Sequence, residues 1–211
     1  MTFVKLCGIT RREDADAAVE LGCDALGFIL VPESPRALSL EEAAALAELV
    51  PEPVRRVAVM KNPSVAEVEA VEGCGAFDCI QLHGSEPPDM LRGRSLDVIK
   101  AFSVSGEADL ERTADYGDAA FFLFDSKKRT LGKGEAFDHA LLQGRTFFKP
   151  FLLAGGLGPF NLRDALKQVR PFGVDLNSGV ESAPGVKDRV QLAVAVATVR
   201  NFDYSERREQ R

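Results

Sequence analysis

Short apolar, β-prone runs recur along this chain, each followed by a turn and then by a stretch of helical periodicity. They are Phe3–Cys7, Ala25–Leu30, Val54–Met60, Asp78–Leu82, Val98–Phe102, Ala120–Phe124, Phe148–Leu153 and Gly173–Leu176. The segments after them, roughly 11–22, 40–49, 64–73, 86–92, 107–116, 136–142, 160–169 and 187–199, read as helices, most opening near a Pro, Ser, Asp or Asn suited to a cap. Continuously hydrophobic strands belong in a sheet covered by helices, and parallel strands need crossover connections, which these helices supply. Eight βα units in 211 residues predict an α/β chain folded as a single-domain (βα)8 TIM barrel over residues 1–200, with 201–211 a frayed or solvated tail. The competing doubly wound open sheet carries a glycine fingerprint in its first βα turn. Here that turn is Cys7-Gly8-Ile9-Thr10, which is no such fingerprint.

Charge and cysteine usage narrow the function classes. A net charge of −6 and a pI near 5.1 argue against nucleic acid as a partner, because a polyanion is bound through a basic patch or stripe. A small anionic metabolite can still be held by a local cluster of donors. The four cysteines (Cys7, Cys23, Cys74, Cys79) form no CxxC pair, and with only two histidines (His83, His139) no zinc-type ligand spacing arises, so neither metal nor cofactor is expected. No apolar stretch approaches the roughly 20 residues of a membrane span, and the N-terminus lacks a signal-peptide core. A cytoplasmic enzyme of a small molecule, monomeric or a homodimer, is expected.

In this fold the active site forms where the strands end and their loops begin. Strand 1 ends in Cys7-Gly8, strand 4 in Gln81-Leu82-His83-Gly84, strand 6 in Asp125-Ser126, strand 7 in Ala154-Gly155-Gly156 and strand 8 in Asp175 through Glu181. Glycine loops after strands 7 and 8 suit phosphate, since bare backbone lets N–H groups approach the oxygens. Gly155, Gly156, Ser178 and Gly179 are therefore the expected phosphate cradle, although either pair alone would read more simply as a tight turn. An arbitrary cysteine is more often a small buried hydrophobe. Cys7 differs in its place at the pocket mouth, where positive charge or amide donors can lower its pKa enough for a general base. Asp125, after the apolar run Phe121–Phe124, is expected to hold a proton as general acid, against the alternative of capping a loop or pairing with Lys127 or Lys128. Arg36 can clamp a carboxylate with its planar fork, and Gln81, His83 and Asp175 are candidates for lining the pocket.

The ordered set KLCGIT (5–10), SPR (34–36), QLHG (81–84), FDS (124–126), GKGEAFD (132–138), LAGGLGPFNL (153–162) and GVDLNSGVESAPGVKD (173–188) resembles the phosphoribosylanthranilate isomerase family of tryptophan biosynthesis, across residues 3 to 198. The resemblance implies a cofactor-free Amadori rearrangement of N-(5-phosphoribosyl)anthranilate to 1-(2-carboxyphenylamino)-1-deoxyribulose 5-phosphate. It casts Asp125 as the acid that protonates the furanose oxygen, Cys7 as the base that takes the C2′ proton, and Arg36 as the partner of the anthranilate carboxylate. The chain departs from the family at Leu131-Gly132-Lys133-Gly134, where GGTG is common, at His139, where Trp is common, and at Met60, where an aromatic residue is expected. These departures bear on the sixth loop and on packing around the anthranilate ring. A related histidine-pathway isomerase, or a bifunctional one, uses an aspartate where Cys7 stands, so the cysteine weighs against it. A non-catalytic phosphate-binding barrel would leave Cys7 and Asp125 without a purpose, and a thiol redox protein would lack a nearby resolving cysteine.

Overall fold

The computed structural model describes residues 1–126 and 139–209. Eight strands, β1 (Phe3–Cys7), β2 (Ala25–Ile29), β3 (Arg55–Met60), β4 (Cys79–Leu82), β5 (Asp97–Val104), β6 (Phe121–Ser126), β7 (Phe151–Leu153) and β8 (Gly173–Leu176), pair in parallel in chain order, and β8 closes onto β1. The expected barrel is thus the observed one. Alternation along each strand sorts two apolar layers. Val4, Leu6, Phe28, Ala58, Ile80, Phe102, Phe122, Leu153 and Val174 pack outward with the helices. Cys7, Ala25, Ile29, Val57, Val59, Cys79, Ile99, Ala101, Leu123, Leu152 and Ala154 fill the barrel itself. Met60 belongs to the outward layer, so it packs against helices rather than lining the mouth, and its departure from the family pattern falls on the scaffold.

The covering helices are α1 (Arg12–Glu20), α2 (Leu40–Ala47), α3 (Val65–Cys74), α4 (Glu107–Glu111), α5 (Leu162–Val169) and α6 (Arg189–Glu209). Two of them start on reciprocal capping boxes, Ser39 with Glu42 and Ser64 with Glu67, which satisfy backbone donors at the first turn. The expected helix over 86–92 is only one 3-10 turn, Pro88–Leu91. Pro87 and Pro88 bar helical backbone before it and Gly93 follows at once, leaving no length for an α-helix. The stretch 107–116 divides into α4 and a 3-10 turn, Arg112–Asp115, and the expected helix over 136–142 is represented by the 3-10 turn His139–Leu142. The GKGEAFD motif, with Leu131, Lys133, Phe137 and Asp138, lies outside the described residues, as do Lys127 and Lys128.

Two features correct the sequence reading. A short antiparallel hairpin, β9 (Glu181–Ala183) with β10 (Val186–Lys187), extends the loop after β8. The expected tail from residue 201 is instead the continuation of α6 to Glu209. Its reason is tertiary. Phe202 packs on the core, and the Asp203 carboxylate accepts from the Thr2 amide at 2.9 Å and the Thr2 hydroxyl at 2.6 Å. Among the described residues no helix is long and apolar enough to cross a membrane.

Candidate active site

Because strand side chains alternate, Phe3, Lys5 and Cys7 share the inward face of β1, and Lys5 pairs in register with Asp175 of β8. The Lys5 ammonium, fully buried, donates to Asp175 Oδ1 at 2.8 Å. It also converges with the Cys7 sulfur on the space over Gly27, close enough for the two charges to feel each other. Burial works against the Lys5 charge, yet Asp175 and Cys7 hold its pKa above the ordinary lysine value. Burial pushes the Cys7 thiol up and Asp175 adds to that; Lys5 and Lys187 pull it back without outweighing them, so the thiol lies above its ordinary value and not below it as the sequence suggested. Cys79, deeper in the barrel, is pushed up to about 12, chiefly by burial, and is an inert core thiol.

Across the mouth, Asp125 stands at the inward C-terminal end of β6, about a quarter exposed, with its Oδ2 3.5 Å from His83 Nε2. Gln81 Nε2 donates to His83 Nδ1 at 3.0 Å, which leaves the ring proton of a neutral His83 on Nε2, toward Asp125. Gln81 itself is buried, and its amide nitrogen meets His83. Its Oε1 has no partner among the described residues. The Asp175 carboxylate interacts with Lys5 on one side and with Asp125 and His83 on the other, linking the two halves of the mouth.

Arg36, in the loop before α2, sends Nε to Glu181 Oε1 at 2.8 Å and Nη2 to Glu181 Oε2. One edge of the expected carboxylate clamp is therefore occupied from within, and only the Nη1 side is left for a ligand. Lys187 completes the cluster, with Nζ 2.8 Å from Glu181 Oε1 and 3.0 Å from Asn177 Oδ1. Burial opposes ionisation of Glu181, but Arg36 and Lys187 outweigh it and hold its pKa down at about 2. The hairpin is anchored beside the first loop by Thr10 Oγ1, which donates to the Gly185 carbonyl at 2.6 Å. Gly8, at φ 74°, sits under the Arg36 stem, where a side chain would strike Arg36 and Asn177.

The loops after β7 and β8 meet backbone to backbone. Gly155 and Gly156 have φ of 101° and 66°, and a Cβ on Gly158 or on Gly179 would collide with the carbonyl of Gly179 or of Leu157 respectively. Asn161 braces this turn rather than capping α5: its Oδ1 accepts from the Gly158 amide at 2.9 Å and its Nδ2 donates to the Gly156 carbonyl at 3.1 Å. The glycines thus satisfy the tight-turn reading, and they also leave an uncluttered backbone surface beside Ser178. Among the described residues no group of three or more His, Cys, Asp or Glu side chains could hold a metal ion.

Sequence reasoning did not single out Lys5, Asn177, Glu181 or Lys187. The signal for Lys5 is its position: a lysine two residues before Cys7 in an otherwise apolar strand must share the cysteine's face. The family of N-(5'phosphoribosyl)anthranilate (PRA) isomerase matches residues 4–198. The chain belongs to that family. N-(5'-phosphoribosyl)anthranilate isomerase of Halorhodospira halophila is 44% identical over 206 residues, covering 96% of this chain and 98% of the relative. The crystal structure of phosphoribosyl anthranilate isomerase from Thermotoga maritima superposes with a TM-score of 0.89 at 39% identity, covering 95% of this chain and all of that one. A structure of the isomerase in complex with reduced 1-(o-carboxyphenylamino)-1-deoxyribulose 5-phosphate superposes at 0.84 with 37% identity and the same coverage. This chain thus has the family's barrel, with Cys7, Arg36, His83 and Asp125 gathered at one mouth.

Proposed function

We propose that this isomerase converts N-(5'-phosphoribosyl)anthranilate to 1-(2-carboxyphenylamino)-1-deoxyribulose 5-phosphate, a step of tryptophan biosynthesis, by acid–base catalysis. The observation that carries the reading is one thiol, Cys7, and one carboxyl, Asp125, at the ends of β1 and β6, flanking the strands whose glycine loops suit a phosphate. A substrate anchored at Gly155, Gly156, Ser178 and Gly179 presents its ribose between them. Asp125 gives its proton to the ring oxygen as the C1′–O bond breaks, and the aniline nitrogen supplies the electron pair that forms the protonated Schiff base. Cys7, as thiolate, takes the C2′ proton, and the C–H electrons become the enaminol double bond while the iminium is neutralised. Tautomerisation yields the aminoketose. His83, with its Nε2 toward Asp125, keeps that carboxyl placed, and Arg36, steadied by Glu181, turns its Nη1 side to the anthranilate carboxylate.

The test follows the loss of fluorescence of freshly generated phosphoribosylanthranilate in the wild-type chain and in Cys7→Ala and Asp125→Ala. General acid and base groups supply roughly 10²–10⁴-fold, so each substitution is expected to lower kcat by that much. A loss under about tenfold in either variant contradicts the role assigned to that residue.

A further inference from the structure

We infer that Lys5 is a positioning residue of the isomerisation, its ammonium held by Asp175 as the counter-charge against which Cys7 becomes a thiolate base. The inference rests on the reading of Cys7 as the base. Three observations carry it. Lys5 sits on the inward face of β1, fully buried, in an interior that Val57, Ile99, Leu123 and Leu152 make largely apolar below the mouth. A buried ion pair is no requirement of stability, since well-packed hydrophobic residues often replace one without loss.

The second observation is space made for the contact. Gly27 of β2 pairs in register with Cys7, and a Cβ there would lie 2.9 Å from Cys7 Sγ and 3.1 Å from Lys5 Nζ. The sulfur and the ammonium converge on the volume that any other residue at position 27 would fill. The third is the set of charges around the sulfur. Lys5 comes from its own strand, Asp175 from β8, Lys187 from the hairpin and Arg36 from the loop after β2, while Asp125 and His83 face Asp175 from across the mouth. Arg36 and Lys187 are both spoken for by Glu181. Lys5 is the cation that shares with the sulfur the space over Gly27, and Asp175 at 2.8 Å fixes where its ammonium points.

The proton balance is simple. Cys7 starts as thiolate, takes the C2′ proton and ends as a neutral thiol, which returns the proton to solvent as product leaves. Lys5 keeps its three protons throughout and changes only how well the negative sulfur is stabilised.

The experiment compares wild type, Lys5→Met and Lys5→Arg, each with its Cys7→Ala counterpart as the blank. Two readouts are taken against pH: the ultraviolet absorbance of the Cys7 thiolate, and kcat with KM. Lys5→Met is expected to move the thiolate titration and the acidic limb of kcat upward by about one pH unit or more. At neutral pH its kcat should fall roughly tenfold or more with KM nearly unchanged, and activity should return in part at high pH. Lys5→Arg, which keeps the charge, should recover part of the loss. A folded Lys5→Met with the wild-type titration overturns the inference, as does an arginine variant no better than the methionine one. If Lys5→Met fails to fold because Asp175 is stranded, Lys5→Met with Asp175→Asn is compared with Asp175→Asn alone, and a thiolate titration that is the same in the two is equally fatal. Retention of turnover in Cys7→Ala removes the base assignment itself, an outcome separate from the thiolate titration, which needs no turnover.

Discussion

Glu181 is the residue on which the cationic side of the mouth depends, because Arg36 and Lys187 share its one carboxylate. Glu181→Gln keeps the shape and removes the charge that holds both. Arg36 then loses one edge of its fork partner, so KM for substrate should rise roughly tenfold while kcat changes less, since the interaction is a binding one. The same residue has a pH signature. Its folded pKa of about 2 lies below the ordinary 4.5, so its stabilising contribution is complete above about 4.5 and is lost as pH falls toward 2. Thermal melts of wild type and Glu181→Gln should therefore converge across that acid window and differ above it. Parallel curves over the whole range would show that Glu181 stabilises nothing by its charge. The sequence made Cys7 and Asp125 legible because each ends an apolar run at a strand terminus. It hid Glu181 and Lys187, which meet only because a hairpin of five strand residues folds the loop after β8 back over β1. Loop conformation of that kind carries no periodicity to read.

At the level of elements, the loop that presents His83 is held by an ion pair outside the barrel. Lys100, on the outward face of β5, donates to Glu86 Oε2 at 2.7 Å and to the Gly84 carbonyl at 2.8 Å. Glu86 in turn accepts from the amides of Asn62 and Gly84, and Tyr116 donates to its carbonyl at 2.8 Å. Both ionic side chains are almost fully buried. Lys100→Met strands the carboxylate and should cost about 3–5 kcal/mol, whereas Lys100→Met with Glu86→Gln should regain much of it. Urea unfolding of the pair settles the matter: a double variant as unstable as the single one would mean the loss is packing, not charge. This brace replaces the helix expected over 86–92, where two prolines and Gly93 leave room for a single turn. The eight barrel strands were legible, because parallel strands buried on both faces announce themselves as apolar runs. Helices were legible where caps and amphipathic length coincide, as at Ser39 and Ser64, and were overread where only polarity and length suggested them.

For the whole molecule, the ring of strands closes where chain start and chain end meet. Besides Thr2 on Asp203, Arg200 donates to the Thr2 carbonyl and the Gly22 carbonyl, each at 2.7 Å, and reaches Asp24 Oδ2 at 3.2 Å. Asp24 Oδ2 accepts from the Val4 amide at 2.7 Å, so the last helix is tied to the first strand at the barrel end opposite the mouth. A solvated tail would predict that removal of residues 201–211 changes nothing. The helix predicts otherwise. Removal exposes core surface under half-buried Phe202, worth about 1–1.5 kcal/mol at 25 cal/mol per Å². It also deletes two hydrogen bonds to an ionised carboxylate, worth about 1.5 kcal/mol each. The exposed Arg170–Glu206 pair adds little. A loss of about 4–4.5 kcal/mol in urea unfolding is expected, with Asp203→Ala accounting for the hydrogen-bonded share. Turnover per folded molecule should hold, because Cys7 and Asp125 lie at the other end of their strands. An unchanged unfolding midpoint in the truncated chain would mean that α6 does its work before residue 201 and that the contacts of Asp203 add nothing to the closed ring.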